Sequence, residues 1–98
     1  MVDITNVHPG VALAEFLEDY NLSQNKLALE IRVPVRRINA IINGERAITA
    51  DTAVRLAKFF GNKPEFWLGL QELYDITRAK NELAEELPRI HTLTQAIA

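Results

Sequence analysis

The side chains best suited to recognition chemistry in this 98-residue chain lie on a predicted helix over about residues 34–43. At about 100° per residue, Ile38 and Ile41 point to one side of that helix. Arginine can contact guanine, asparagine can contact adenine, and valine or alanine can touch a thymine methyl group. The opposite side carries these residue types, and we predict that it enters a DNA major groove. It comprises Val35, Arg36, Asn39, Ala40 and Asn43.

Three neighbouring side chains are predicted to contact DNA phosphates. Arg37 lies on the flank of the same helix, and Arg46 follows Gly44, which should end it. Gln24 would lie at the start of the preceding helix, whose free backbone amides attract phosphate.

The surrounding pattern is that of a helix-turn-helix. Ser23 can cap a first helix that carries the apolar side Leu27, Ala28 and Ile31. Val33-Pro34 breaks that helix, because proline lacks an amide proton and restricts the residue before it. Two helices joined in this way can place the second in a major groove.

Two plainer interpretations remain open. The arginines could form an ordinary solvated face of a small helical protein. A helix-turn-helix can also act as a protein-binding scaffold without DNA, since fold does not determine function.

Flanking patterns predict an all-α, five-helix, repressor-like helix-turn-helix domain with an extended C-terminal helix. Residues 1–98 suit a single domain. Its helix-turn-helix core would cover residues 9–61, followed by a fifth helix over 64–87 that Pro88 would stop. The last segment, 88–98, would be a loose tail or a short extra helix.

The fifth helix is apolar over an arc wider than one domain needs. We therefore expect it to mediate a homodimer, which would let two recognition helices read two half-sites. The alternative is that these residues only complete the core of the monomer. The predicted dimer residues are Phe66, Trp67, Leu70, Leu73 and Tyr74.

Composition excludes several functions. The chain has no cysteine, and its two histidines lie far apart in sequence, so we expect no metal, no cofactor and no catalytic residues. We see neither a membrane span nor a signal peptide and expect a cytoplasmic protein. The net charge is −2, yet residues 21–61 carry seven basic and three acidic residues, so positive charge gathers on the helix-turn-helix.

The chain resembles the HigA-type antitoxins, a branch of the Xre or lambda-repressor-like helix-turn-helix family. HPGVALAEFLEDYNLS, residues 8–23, is similar to the family's opening segment. Residues 33–76 resemble its long middle block, in which NGERAITADTAVRLAKFFG followed by PEFWL is specific to this branch. The resemblance covers about residues 8–80.

The resemblance implies a dimer that binds double-stranded operator DNA, represses its own operon and neutralises a HigB-type toxin, a small basic mRNA-cleaving ribonuclease. By position it implies base contacts from Val35, Arg36, Asn39 and Ala40. It implies phosphate contacts from Gln24, Arg37, Asn43 and Arg46.

The acidic first helix is our candidate for toxin contact, through Glu15, Glu18 and Asp19. A regulator without a toxin partner remains the alternative. The chain departs from the family at Arg32, where glycine is usual. A non-glycine residue there must accept a left-handed backbone, at a cost of about 1 kcal/mol, or the turn must differ.

Overall fold

The computed structural model describes residues 7–94, which form five α-helices and no β-strand within that range. The predicted all-α fold with five helices is confirmed. The helices are α1 Pro9–Asp19, α2 Gln24–Ile31, α3 Val35–Ile42, α4 Ala50–Phe60 and α5 Pro64–Glu82, followed by a short 3₁₀ helix, Leu87–Arg89.

Side chains at the helix starts satisfy the first free backbone amides. Ser23 Oγ accepts a hydrogen bond from the Lys26 amide at 3.0 Å, and Thr49 Oγ1 accepts one from the Thr52 amide at 3.5 Å. His8 Nδ1 accepts from the Gly10 amide at 2.9 Å and so caps α1. Pro34 occupies the cap position of α3 and offers no side-chain bond.

Left-handed residues follow helices α1 to α4, beginning with Asn21 after α1 with φ 50°. Gly44 follows α3 with φ 77°, and Gly61 ends α4 with φ 74°. Arg32 ends α2 with φ 64°. The turn before α3 thus keeps the geometry that glycine usually provides, and Arg32 bears its conformational strain.

One apolar core lies between the five helices. Its largest member is Trp67, which is fully buried at the start of α5. Phe16 and Phe60 pack edge-on or tilted against the Trp67 ring, with ring centroids 4.9 and 5.8 Å away. The other buried apolar residues are Leu13, Leu17, Leu27, Ala28, Ile31, Ile38, Ile41, Ile48, Ala53, Leu56 and Ala57.

Helix α5 ends at Glu82, five residues before the predicted end at Leu87. Its buried residues, Trp67 and Gln71, both lie in its first half, and residues 78–94 are exposed throughout. Without packing, little stabilises further helical turns, so the helix stops before Pro88 can break it. The predicted tail, 88–98, extends beyond the described residues at 95–98.

Candidate nucleic-acid interface

Helix α3 is anchored by two isoleucines and leaves its polar side accessible. Ile38 and Ile41 are both 0% exposed, because they insert into the core beneath the helix. None of the four predicted base-contacting residues is buried: Val35 and Arg36 are exposed, and Asn39 and Ala40 are half-buried. The structure therefore anchors α3 in the core while the predicted base-contacting side chains remain within reach of a ligand.

Asn39 is oriented by a residue of the neighbouring helix. Its Nδ2 donates a hydrogen bond to Gln24 Oε1 at the start of α2. Asn39 retains its second Nδ2 hydrogen and its Oδ1, which are the donor and acceptor that adenine N7 and N6 require. This bond joins a predicted base-contacting residue to a predicted phosphate-contacting residue.

Arg37 is held by a carboxylate that sequence reasoning did not connect with it. Its Nη1 donates to Asp51 Oδ1 at 2.8 Å, and Arg55 Nε donates to the same oxygen at 2.8 Å. Arg55 Nη1 also donates to the Ile31 carbonyl at 2.9 Å. One carboxylate therefore links α3 to α4, and Arg55 extends the link to the end of α2.

The same two arginines lower the pKa of the Asp51 carboxyl. The hydrogen bond from Arg55 is the largest cause, and that from Arg37 is second. Asp51 is therefore ionised at neutral pH. Its spacing to Arg55 indicates an ion pair within a helix, whereas its contact with Arg37 depends on how α3 packs against α4.

The remaining predicted phosphate contacts surround α3. Gln24 is half-buried at the start of α2, whereas Asn43 and Arg46 are exposed where α3 ends. The structure thus brings all four predicted phosphate-contacting residues to α3 or to the segments that adjoin it.

The predicted dimer set requires one correction. Trp67 is 0% exposed, and its Nε1 donates to Asn62 Oδ1 at 3.0 Å, so its side chain belongs to the monomer core. Phe66 and Leu73 are 42% and 43% exposed, and Ile76, which the prediction omitted, is 44% exposed. Leu70 and Tyr74 are half-buried beside them.

Helix α1 presents the acidic residues predicted for toxin contact. Glu15, Glu18 and Asp19 are all exposed, and all lie on α1, which packs against α3 and α5. Among the helices of residues 7–94, none is both long and apolar enough to span a membrane.

An anchored helix that follows a left-handed turn, with Arg and Asn on its accessible side, defines a helix-turn-helix protein. Comparison with known proteins agrees. The model of the family described as "Helix-turn-helix" matches residues 13–68.

Among curated relatives, Antitoxin HigA-1 of Vibrio cholerae is 38% identical over 74% of this chain and 68% of its own length. The uncharacterized HTH-type transcriptional regulator YbaQ of Escherichia coli is 39% identical over 92% of this chain and 82% of its own.

Solved structures are similar across nearly the whole fold. An addiction module antidote protein of the HigA family from Coxiella burnetii is 49% identical, with a TM-score of 0.85, and the match covers 89% of this chain and 96% of that one. PA4674 of Pseudomonas aeruginosa, solved with its operator DNA, is 31% identical with a TM-score of 0.84 over the same shares of the two chains. The chain belongs to the helix-turn-helix family of DNA-binding proteins and, within it, to the HigA-like antitoxin branch. Proteins of this family are in general not enzymes.

Proposed function

We propose that this protein is a dimeric, sequence-specific DNA-binding antitoxin that represses its own operon and neutralises a HigB-type toxin by direct binding. The observation that carries the DNA-binding part is the accessible side of α3. There Arg36 is exposed, and Asn39, hydrogen-bonded to Gln24, keeps a donor and an acceptor of the kind that adenine requires.

Similar proteins support the proposal that this chain is a DNA-binding antitoxin. PA4674 and the antitoxin GraA were each solved with an operator, and GraA matches this chain at 31% identity with a TM-score of 0.82. The Vibrio cholerae relative is named an antitoxin. We extend these properties to this chain because the matches to PA4674 and GraA each cover 89% of it and the match to HigA-1 covers 74%.

The DNA-binding part is tested by substituting one exposed arginine on α3. Arg36→Ala should weaken operator binding by about 1–3 kcal/mol and relax the preference at one base position. Arg89→Ala is the matched control, because it removes an equally exposed arginine from a segment remote in sequence from α3. Equal operator affinity in wild type and Arg36→Ala would refute our assignment of the base-contacting side.

We propose that the dimer forms through the exposed apolar side of α5, formed by Phe66, Leu73 and Ile76 with Leu70 and Tyr74 at its edge. Three exposed large apolar side chains on the same side of one helix form the kind of patch that marks a protein–protein contact. Leu73→Glu should yield monomers in light scattering at micromolar concentration. Val54→Glu, which places the same charge at an exposed apolar position of α4, should leave the dimer intact.

We propose that the acidic residues of α1 contact the toxin, because a basic ribonuclease requires a surface of opposite charge. The test is co-purification with the product of a short basic reading frame beside this gene. Glu15→Lys combined with Glu18→Lys should abolish co-purification, whereas Glu85→Lys with Glu86→Lys, in the exposed turn after α5, should not. Retention by the α1 double variant would place the toxin elsewhere.

A regulator without a toxin is the second candidate, favoured by relatives such as YbaQ that are named transcriptional regulators. Expression of the neighbouring reading frame separates the two. Growth arrest that this protein relieves supports the antitoxin. Unimpaired growth together with specific operator binding supports the regulator.

A further inference from the structure

A network of three ion-paired side chains lies beside α3 and is centred on Asp51. This residue is the second of α4, yet its carboxylate accepts from Arg37 on α3 and from Arg55 on α4. The side chain of Arg37 is only 23% exposed, while that of Asp51 is 58% exposed. The acid therefore faces solvent beside the residue that is expected to hold a phosphate.

We propose that Asp51 is a specificity-determining residue, because its carboxylate binds the Arg37 guanidinium in place of a DNA phosphate. It thereby weakens binding to DNA of arbitrary sequence and holds α3 in one orientation for its operator. This inference rests on the proposed function, because it concerns how the same site distinguishes operator from other DNA.

The first half of the argument is electrostatic. Affinity for DNA of any sequence comes from cations that replace the counterions of phosphates. An arginine already paired with a carboxylate adds almost no net charge at the interface. Asp51 should therefore reduce by about one the number of protein cations that neutralise phosphates in non-specific binding.

The second half is geometric. The Arg37–Asp51 bond joins α3 to α4, and Arg55 continues from Asp51 to the carbonyl oxygens of Ile31 and Arg32 at the end of α2. The helices on both sides of α3 are thus held through a single carboxylate. Base contacts need α3 in one orientation, whereas phosphate contacts tolerate several. Loss of the carboxylate should therefore strengthen the binding of scrambled DNA relative to the binding of operator.

The test is the salt dependence of binding to scrambled DNA, measured by fluorescence anisotropy between 50 and 200 mM salt. For Asp51→Asn we expect the slope of log affinity against log salt to steepen by about 0.9, which corresponds to one additional phosphate contact. At 100 mM salt this corresponds to roughly eightfold tighter binding of scrambled DNA. We also expect the ratio of operator to scrambled affinity to fall.

Three variants make the result specific. Asp51→Glu keeps the charge and should restore the wild-type slope. Asp51→Ser has neither carboxylate nor amide, so it should repeat the effect of Asp51→Asn and exclude a disturbance of the fold by the amide. Glu82→Gln is the matched control, since it also removes a carboxylate that pairs with an arginine four residues away, at the far end of α5. It should leave the slope unchanged.

An unchanged slope in Asp51→Asn, or an equal change in Glu82→Gln, would overturn the inference. Both outcomes are independent of operator recognition, because both slopes are measured with scrambled DNA. If wild type fails to prefer operator, the proposed function fails, while the slopes still decide whether Asp51 masks Arg37.

Discussion

Gly10 lies at a close approach between α1 and α3, and its substitution provides a sensitive test of the packing. A Cβ atom built on Gly10 would lie 1.9 Å from the carbonyl oxygen of Ile41 and 2.8 Å from its carbonyl carbon. An ordinary contact begins at 3.4 Å, so the two backbones would have to separate by about 1.5 Å. The obstacle is backbone, which cannot rotate aside as a flexible side chain would.

We therefore expect Gly10→Ala to destabilise the protein, although alanine favours a helix over glycine by roughly 0.5–1 kcal/mol. Overpacking of this kind costs about 1–3 kcal/mol. Because the obstacle is backbone, we take the upper part of that range, about 2–3 kcal/mol, so the net loss is about 1–2.5 kcal/mol. In a domain of this size, this loss should lower Tm by roughly 4–20 °C. Because Ile41 belongs to α3, operator binding should also weaken more than binding to scrambled DNA.

The assay is thermal unfolding followed by circular dichroism, together with anisotropy on both DNAs. Gly69→Ala is the matched control, since a Cβ on Gly69 of α5 would meet no heavy atom within 4 Å. It should raise stability by about 0.5–1 kcal/mol. A Gly10→Ala protein that melts at or above the wild-type temperature would refute the close approach of α1 to α3.

Three further predictions follow from other parts of the fold. Trp67→Ala should cost about 3–5 kcal/mol in urea unfolding because it empties the centre of the core; a loss below about 1 kcal/mol would place Trp67 on the surface. Arg32→Gly should stabilise the protein by about 1 kcal/mol, read as a higher Tm, because glycine adopts φ 64° without strain; an unchanged or lower Tm would contradict this. Burial lowers the pKa of His8 from its ordinary 6.5, the nearby Asp75 carboxylate opposes that shift, and the Arg78 guanidinium adds to it. The unfolded chain therefore takes up the proton first, so stability should fall as pH drops below about 6.5 and level off below the folded-state pKa. His8→Asn, which keeps a capping side chain, should flatten this loss in melts between pH 7 and 5.

Local chemistry explains what could be predicted from the sequence. The cap at Ser23 and the helix end at Gly44 follow from residue types within a few positions, and the structure confirms them. The division of α3 into buried isoleucines and an accessible polar side follows from helical periodicity alone.

What could not be predicted depends on packing between helices. The apolar arc of α5 contains both core and surface residues, and periodicity cannot assign each to its side. The prediction of Trp67 as a dimer-interface residue is therefore wrong, because its side chain lies in the core. The bonds from Asn39 to Gln24 and from Arg37 to Asp51 span 15 and 14 residues, and nothing in the local pattern indicates them.

The central claim is that α3 reads DNA sequence, and one measurement tests it most directly. Fluorescence anisotropy at physiological salt would compare DNA from the protein's own promoter with scrambled DNA of equal length. We predict at least roughly thousandfold tighter binding to the promoter, with Arg36→Ala reducing that preference by roughly 5- to 150-fold, the equivalent of about 1–3 kcal/mol. Equal affinity of the wild-type protein for both DNAs would contradict the account.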